Sequence, residues 1–555
     1  MSVLEYAWKH FTPEQYERHN LLPFEDTADL KRKAIREIML LRQRRFNEAC
    51  REEMRRFAAE AADIGIRIVF MKGLILAENL YDRPEQRIFY DMDMLADPGD
   101  LAAVLGICKK FGYRNEQLDD YEHIGDHIKA YFSGYMHHFP EMQREAETDG
   151  RKIVLTLEVH THAFIEAFHQ IDLPYEPVTS AVVQSAVPRV LPGFEVIWTP
   201  DPADDFLMLL LHFVKHLFFN VMESLKYNHP SAYLNFRQLL DLDLFLTGGS
   251  IDLTALANRA VEWNTVPELV FTMKLLACYS PGADNGYDWD TLYRSHRRQA
   301  GFVAAAIEIL LKEDLIKTTL LSSWELAGLI LNRITIDYPV IHSYRDELFT
   351  ERPDNRFMID EFADHIDNHF HRHYKENRYP DGPGDWRCRG MSRWDDQFLW
   401  LRFEVEDDEL CIEDGLPHEH EWCDSLDLLM VKYETVPDRN FIRHMDIHLC
   451  RREGSGESFI YIREYDNVTD EFIRYTEDMF RYRFAIDGNN YILDLGLSWE
   501  TLGNCVQNDR LIFDIIANDS DSKPPEYLSK LAWASPMRYC GLHDVSSFGT
   551  MQVLK

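Results

Sequence analysis

The sequence predicts a multidomain protein with an α+β region, an α-helical region and a C-terminal all-β sandwich. Its 555 residues exceed what one hydrophobic core usually organises, so about three domains are expected. The hydrophobic pattern also changes twice along the chain. Alternating helices and short strands give way to helices alone, and then to short strands alone. These changes place the predicted domains at residues 1–195, 196–375 and 376–555.

The first region alternates helical and strand-like patterns. Apolar residues recur at helical spacing from about Ala28 to Asp63, which predicts one long helix or two abutting helices. The β-branched run "GIRIVFMKG" then predicts a buried strand, and "LILAENLY" predicts a helix. Further along, "RIFYDMDMLAD" and "KIVLTLEVHTH" predict two strands, with the helix "PGDLAAVLGICKKFGY" between them. The alternation indicates a small α/β or α+β domain.

The middle and the end of the chain each keep one pattern. The segments "DPADDFLMLLLHFVKHLFF" and "LNFRQLLDLDLFL" predict helices, and the first opens with Asp201 before Pro202. A Pro/Gly-rich stretch, "RYPDGPGD", predicts a linker. Short apolar runs separated by turn residues follow it, including "FLWLRFEVEDDEL", "DSLDLLMVKYE" and "RLIFDIIANDSD". Such runs are typical of a β-sandwich or a jelly roll.

The formal net charge of −35 indicates a strongly acidic surface. Such a surface disfavours extended binding to nucleic acid or to anionic membranes, although it is compatible with a small cationic pocket. The N-terminus lacks the basic-then-apolar pattern of a signal peptide, and the most apolar helical stretch is interrupted by His212, Lys215 and His216. The nine cysteines form no CxxC pair. We therefore expect a cytoplasmic protein that is not inserted in a membrane.

Two aspartates, Asp91 and Asp93, lie one residue apart in a predicted strand, so their side chains share a face. Carboxylates held that close repel each other unless a cation lies between them. Mg²⁺ bound to nucleotide phosphates is such a cation, because it prefers a few carboxylates together with phosphate oxygens. In the later strand "LTLEVH", Glu158 shares its face with Thr156 and His160, so Glu158 is a candidate third carboxylate. Three carboxylates would allow a two-metal site.

Aspartates with this spacing also occur by chance in surface strands, so the surrounding residues matter. Lys72 and Gly73 lie at a predicted strand-to-helix turn just upstream. A glycine-containing turn at a helix N-terminus can seat phosphate on backbone N–H groups, and a lysine adds positive charge. Arg87, four residues before Asp91, is a further cation. Together these residues predict a nucleotide-binding site that uses Mg²⁺ or Mn²⁺.

The ordered set of motifs resembles the uncharacterised nucleotidyltransferase family of the DNA-polymerase-β superfamily. The stretch from "IVFMKG" through "RIFYDMDMLAD" to "LEVHTHA" is similar to that family's KG turn, DxD strand and acid-x-His strand, and the following helices fit to about residue 360. The resemblance implies a nucleotidyltransferase fold with Asp91, Asp93 and Glu158 as metal ligands and catalytic residues. Where the wider superfamily has a Gly-Ser turn, this chain has Lys72-Gly73.

Several polar side chains at helical spacing have more than one interpretation. His212 and His216 match positions of the resembled family and, with His160, are candidates for the acceptor side of a cleft; packing is the alternative. Arg237 and Asp241 have the same spacing, for which a local salt bridge is the preferred interpretation. Two further groups have metal-ligand spacing, but a solvated linker helix and a polar loop are the expected interpretations: His365, His369 and His373, and His418, His420 and Cys423.

The last third of the chain resembles the carbohydrate-binding module family 9. The similarity rests on "DDQFLWLRFEVEDDEL", "CDSLDLLM", "YILDLGLSWETLG", "LIFDIIANDSD" and the closing "FGTMQVL", from about residue 380 onwards. It implies a β-sandwich that either binds carbohydrate or is merely structural. Trp394, Trp422 and Trp533 could stack on sugar rings, although a tryptophan in such a domain is more often part of the core.

The expected function is transfer of a nucleotidyl group from an NTP to an unknown acceptor. Asp91 and Asp93 would hold the metal ions, and Glu158 would bind the catalytic metal or activate the nucleophile. Lys72 and Arg87 would neutralise the phosphates. The alternative is a non-catalytic nucleotide- or sugar-binding protein on a decayed transferase scaffold.

Overall fold

The chain, analysed as a computed structural model, divides into two compact units. One comprises residues 1–217, 232–299 and 310–320, and the other comprises residues 218–231, 300–309 and 321–555. The three-domain division stays a prediction. The structure describes residues 3, 30–115, 137–148, 150–164, 175–190, 196–227, 235–248, 251–281, 286–298, 302–318, 321, 323–331, 333, 340–359, 361–362, 386–407, 410–415, 424–432, 442–452, 455, 457–466, 471–476, 479–519, 529–533 and 549–554.

Helices and strands alternate up to residue 199. In chain order the elements are α1 (Leu30–Ile64), β1 (Ile68–Met71), α2 (Gly73–Leu80), β2 (Asp91–Ala96), α3 (Leu101–Lys110), β3 (Met142–Thr148), β4 (Arg151–His160), α4 (Tyr175–Ser185), β5 (Val187–Arg189) and β6 (Ile197–Thr199). Short 3-10 turns at Pro84–Gln86 and Pro98–Asp100 precede β2 and α3. The strands form one six-stranded sheet in the order β3-β4-β2-β1-β6-β5. The mixed pattern predicted for this region is confirmed at the level of helix and sheet.

The sheet is held by a buried apolar cluster. All four residues of β1 are buried, which is why its sequence is continuously apolar instead of alternating. In β4 the apolar side chains alternate with polar ones, and Leu155, Leu157 and Val159 face the cluster. Phe57 of α1 belongs to the same cluster. The other face of β2 and β4 is therefore left for polar side chains.

Helices alone follow over about 130 residues. They are α5 (Pro202–Tyr227), α6 (Phe236–Thr247), α7 (Leu253–Glu262), α8 (Val266–Tyr279), α9 (Trp289–Ser295), α10 (Phe302–Leu310), α11 (Leu315–Thr318) and α12 (Ser323–Leu331). Side-chain caps fix several of their starts; for example, Asn235 accepts a hydrogen bond from the backbone N–H of Gln238. None of the described helices has both the length and the apolar character that a membrane crossing requires.

The rest of the described chain is built from strands that share one hydrogen-bonded sheet. They are β7 (Val340–Arg345), β8 (Arg356–Ile359), β9 (Glu361–Phe362), β10 (Trp386–Trp394), β11 (Phe398–Asp407), β12 (Glu413–Asp414), β13 (Ser425–Val431), β14 (Ile442–Arg451), β15 (Ser458–Asp466), β16 (Glu471–Arg474), β17 (Phe480–Asp487), β18 (Asn490–Ser498), β19 (Val506–Gln507), β20 (Arg510–Asp519), β21 (Ser529–Ala532) and β22 (Gly549–Leu554). Helix α13 (Trp499–Leu502) and a 3-10 turn at Gly503–Cys505 follow β18.

One core serves the whole of this sheet. Its main path runs β16-β15-β14-β13-β20-β22-β7-β10-β11-β18-β17. Ile462 of β15 and Leu495 of β18 lie near opposite ends of that path, yet both belong to the same buried cluster. The sheet therefore curls around its core, as the strand-rich pattern of the sequence requires.

The prediction of an all-helical region up to residue 375 is wrong beyond residue 340. β7 pairs with β22 and β10, and β8 pairs with β10, so both strands belong to the large sheet. The physical reason is visible in "VIHSYR", where Ile341 and Ser343 are buried and their neighbours are not. This period of two indicates a strand, and it was hidden between long helical patterns.

Candidate functional site

The turn between β1 and α2 has an unusual backbone. Lys72 has φ 48° and ψ −138°, and Gly73 has φ 27°. A Cβ atom on Gly73 would lie 3.1 Å from the backbone oxygen of Asp91 and 3.3 Å from the ring of Phe89. Glycine therefore lets the start of α2 approach the start of β2 closely. The predicted strand-to-helix turn is present, and its geometry brings the lysine side chain to the carboxylates of β2.

The parallel register of β2 and β4 aligns the predicted carboxylates. Asp93 lies opposite Glu158, and Asp91 lies opposite Thr156. Residues that are partners across a ladder point to the same face of the sheet. Leu157 points the other way, into the apolar cluster. The polar face of these two strands therefore carries the carboxylates that the sequence singled out.

Asp93 is the centre of a tight polar cluster. Its Oδ1 accepts a hydrogen bond from Lys72 Nζ at 3.0 Å and lies 2.9 Å from His160 Nε2. The same imidazole nitrogen lies 3.5 Å from Glu158 Oε2. One ligand atom from each of Asp93, Glu158 and His160 lies within 4.8 Å of the other two. The structure thus places His160 directly against the carboxylates, where the sequence analysis had assigned it to the acceptor side.

The three carboxyl groups have very different pKa values. Burial raises the pKa of Asp91 to about 7, and the negative charges of Asp93 and Glu158 add to this effect. Burial opposes ionisation of Asp93 too, but Lys72 and His160 outweigh it and hold the pKa of that carboxyl below its usual range. For Glu158, burial is outweighed by the hydrogen bond from His160, which helps to lower its pKa to about 2. Negative charge is therefore concentrated at Asp93 and Glu158.

The donor set fits a divalent cation. Two carboxylates and one imidazole converge, and a bound cation would also relieve the repulsion that, after burial, contributes to the raised pKa of Asp91. Carboxylate oxygens suit Mg²⁺ and Mn²⁺, and an imidazole ligand favours Mn²⁺ of the two. Lys72 Nζ donates a hydrogen bond to Asp93 Oδ1. A cation bound at this oxygen would displace the ammonium group towards other anionic partners.

Arg87 does not lie among these groups as a free cation. Its Nε and Nη2 donate to the two carboxylate oxygens of Asp241, and its Nη1 donates to the carbonyl oxygen of Gly73 at 3.0 Å. Tyr81 Oη donates to the same carboxylate at 2.7 Å. The expected role of Arg87 in neutralising phosphate stays a prediction, and within the structure Arg87 has a supporting contact. It ties the glycine turn to helix α6, because a buried guanidinium must satisfy its donors within the protein.

Arg237 is the cation that the sequence analysis missed. The preferred interpretation was a local salt bridge with Asp241, but that carboxylate is held by Arg87 and Tyr81. Arg237 Nη1 donates instead to the carbonyl oxygen of Ile88 at 2.6 Å, and its buried Nε has no hydrogen-bond partner among the described residues. Its positive charge lowers the pKa of Asp91, so it acts electrostatically on that carboxyl group. The signal available in the sequence was an arginine inside the apolar helix "FRQLLDLDLFL".

Histidines from a loop join the cluster. The ring of His137 lies 5.1 Å from that of His160, and the ring of His138 lies 5.5 Å from it. Lys215 Nζ of helix α5 lies 3.5 Å from His137 Nε2. Burial, together with nearby positive charge, lowers the pKa of His137. The sequence showed His137 and His138 only as loop residues, because nothing local indicates that this loop returns to β4.

His212 and His216 stand together on helix α5. Their rings are 4.4 Å apart. Burial is the largest cause that lowers the pKa of His212, and burial also lowers the pKa of His216 to about 3. The positive charge of Lys72 acts in the same direction on both, which places them in the electrostatic field of the cluster. They are neutral imidazoles at neutral pH, able to accept a proton or a hydrogen bond.

The remaining predicted positions lie either outside the described residues or in the large sheet. The histidines at 365, 369, 373, 418 and 420, together with Cys423 and Trp422, lie outside the described residues. Trp533 is buried in the core of the large sheet, against Phe513. Trp394 is partly buried, and its Nε1 donates to the carbonyl oxygen of Leu554. Trp533 therefore cannot offer a ring face to a sugar without leaving the core.

The polar cluster lies within a segment that matches the model of a known protein family. Residues 30–281 match the family model "Uncharacterised nucleotidyltransferase". The resemblance recognised in the sequence is thereby confirmed over this segment, which contains every residue of the cluster from Lys72 to Asp241. None of the curated proteins compared with the chain matches it.

Solved structures with some similarity include a carbohydrate binding module of family 9 from Caldicellulosiruptor kristjanssonii. Its complex with glucose is 10% identical to this chain, covers 39% of it and 95% of its own length, and has a TM-score of 0.23. Its complex with cellotriose is 12% identical, with coverages of 39% and 93% and a TM-score of 0.23. The module is of the family named from the sequence, but overlays with such scores do not establish a common fold.

Proposed function

We propose that the segment 30–281 is a metal-dependent nucleotidyltransferase that uses an NTP. The observation that carries the proposal is the convergence of Asp93, Glu158 and His160 beside Lys72, at a strand-to-helix turn within the matched segment. In such a reaction a bond forms between an acceptor oxygen and the α-phosphorus of the NTP. The bond from that phosphorus to the bridging oxygen breaks, pyrophosphate leaves, and the acceptor proton goes to a base.

The residues of the cluster have separate roles in this proposal. Asp91, Asp93 and Glu158 hold the divalent cation, which when bound offsets phosphate charge and polarises the phosphoryl oxygens. Lys72 and Arg237 place positive charge beside the triphosphate, and the backbone N–H groups at the start of α2 can bind one of its oxygens.

Two neutral imidazoles, His212 and His216, are assigned to the acceptor side. Because burial keeps them unprotonated, they can accept a hydrogen bond or the proton of an acceptor hydroxyl. Glu158 has a pKa lowered by its neighbour His160, so it is better suited to bind a cation than to take up that proton.

The experiment follows pyrophosphate release and transfer of α-phosphate label from each NTP, with MnCl₂ or MgCl₂, to a panel of sugars, alcohols and proteins. Asp93→Asn should reduce transfer by roughly a hundredfold or more, because charge neutralisation supplies much of the rate. The matched control Asp82→Asn alters an exposed aspartate of the same unit and should leave transfer unchanged. Wild-type protein that neither binds an NTP nor releases pyrophosphate would contradict the proposal.

A non-catalytic nucleotide-binding protein is the second candidate. The observation that favours it is that Lys72 and His160 already satisfy Asp93 within the protein, without a bound cation. This candidate predicts that Mn²⁺ and an NTP raise the melting temperature of the wild-type protein while no pyrophosphate is released. The two measurements together separate the candidates.

Carbohydrate binding by the strand-rich region stays a prediction from its sequence resemblance. A glycan panel followed by intrinsic tryptophan fluorescence tests it. No response to any glycan would favour a structural role for the region.

A further inference from the structure

A second polar cluster lies on the large sheet. In β13 and β14 the apolar residues of one face, such as Leu428 and Ile447, belong to the core. The opposite face carries Asp427 and Asp446, which are direct partners across the ladder. Both aspartates are nevertheless buried, with 3% and 4% of their surface exposed. Buried carboxylates require compensation by hydrogen bonds or by a positive charge.

One imidazole nitrogen stands between these two carboxylates. His444 Nε2 lies 3.2 Å from Asp427 Oδ1 and 2.8 Å from Asp446 Oδ1. The outer carboxylate oxygens are fixed by neighbouring strands. Arg463 Nε donates to Asp446 Oδ2 at 3.0 Å, and Asn518 Nδ2 donates to Asp427 Oδ2 at 3.0 Å. The inner oxygens and the imidazole nitrogen thus lie within 4.8 Å of one another.

Hydrogen bonds within the protein do not complete this arrangement. An imidazole nitrogen carries at most one hydrogen, so His444 Nε2 cannot donate to Asp427 Oδ1 and to Asp446 Oδ1 at once. Asp446 Oδ1 is left without a hydrogen-bond donor among the described residues, although its residue is more than nine-tenths buried. Such an oxygen is costly to bury. A cation between the three atoms would satisfy all of them at once.

We infer that Asp427, His444 and Asp446 form a metal site for a first-row transition dication of the Zn²⁺ type, distinct from the candidate active site. Bonds of about 2.0–2.2 Å in a tetrahedral zinc site place ligand atoms roughly 3.3 Å apart. The nitrogen-to-oxygen distances of 3.2 and 2.8 Å are close to that separation, so little movement is needed. Three protein ligands leave the fourth position for water or a ligand, and the 13% exposure of the His444 side chain provides access.

The test measures Zn²⁺ binding to the full chain by isothermal titration calorimetry with ZnCl₂. The wild-type protein should bind one equivalent more than His444→Gln or Asp446→Asn. Asp93→Asn serves to distinguish the two sites, since it should leave the equivalent that His444→Gln removes. The matched control is His342→Gln, which alters an exposed histidine of the same unit that is 2.9 Å from a single carboxylate, Asp354. This control should bind as many equivalents as the wild type.

Circular dichroism and thermal melts verify that each variant is folded. Equal Zn²⁺ stoichiometry for the wild type and a folded His444→Gln variant would overturn the inference, and the cluster would then be a buried histidine–aspartate network. If both variants unfold, wild-type crystals soaked in ZnCl₂ decide the matter. An anomalous peak between the three side chains supports the site, and density without that peak overturns it.

Discussion

Arg87 and Asp241 form a buried bidentate ion pair, with Nε 3.1 Å from Oδ1 and Nη2 2.9 Å from Oδ2. Only 5% of the arginine side chain and none of the aspartate side chain is exposed. The remaining donor of the guanidinium binds the carbonyl oxygen of Gly73, at the turn that positions Lys72. The pair therefore connects helix α6 to the candidate active site without belonging to its chemistry.

Replacement of Arg87 by Met should destabilise the protein by about 3–5 kcal/mol, because it leaves the Asp241 carboxylate buried without its cation. Urea unfolding followed by circular dichroism measures this loss. Arg83→Met is the matched control: its salt bridge with Glu85 leaves 45% of the arginine side chain exposed, so it should cost less than about 1 kcal/mol. Similar losses of unfolding free energy for the two variants would mean that the buried ion pair stabilises the protein no more than the exposed one.

Gly73→Ala should destabilise the protein by about 1–3 kcal/mol, since the new methyl group meets the backbone oxygen of Asp91 at 3.1 Å and φ is positive. Gly106→Ala offers a contrast in helix α3, where a Cβ meets nothing within 4 Å. That variant should gain about 0.5–1 kcal/mol from reduced freedom of the unfolded chain. Thermal melts of both variants give the comparison, and a neutral Gly73→Ala would show that the turn adapts easily.

Arg237→Met should weaken binding of an NTP with Mn²⁺ about tenfold, the loss of roughly one charge-assisted hydrogen bond. The reason is that its buried Nε has no hydrogen-bond partner among the residues that the structure describes, so it can donate to a phosphate oxygen. Fluorescence titration with a labelled NTP measures the affinity. Arg294→Met, an exposed arginine of helix α9, should bind the NTP like the wild type. An unchanged NTP affinity of the Arg237→Met variant would mean that Arg237 does not bind the nucleotide and only donates to the carbonyl oxygen of Ile88.

The raised pKa of Asp205 predicts that the stability of the protein depends on pH. Burial raises its pKa to about 7 in the folded protein, whereas an unfolded aspartate ionises near pH 4 (roughly 3.9). Between these values the native state holds a proton that the unfolded state has lost, so the free energy of unfolding falls as pH rises. Asp205→Asn removes this contribution. The free energy of unfolding of this variant relative to the wild type should therefore rise by up to about 4 kcal/mol from pH 4 to pH 8. Urea unfolding at both ends of this range provides the measurement, and a constant difference would refute the assignment.

Local patterns predicted most of the elements around the candidate site. The continuously apolar β1, the glycine after it, the strand with Asp91 and Asp93, and the alternation around Glu158 were all readable, because side-chain direction in a strand depends only on a period of two. β7 was not readable in this way, because burial alternates in "VIHSYR" but hydrophobicity does not: Ser343 is buried and Val340 is exposed. It was missed because two strands among helices carry little signal.

The sequence by itself determined which residues share a strand face and which turn precedes them, since these follow from backbone geometry within a few residues. Only the tertiary structure decided the partners. Arg87 reaches Asp241, 154 residues away, His160 lies against Asp93, and Arg237 is left beside Asp91. Such pairings depend on how the sheet and helices pack. A buried charge binds whichever opposite charge that packing brings within reach, and local spacing contains no information about it.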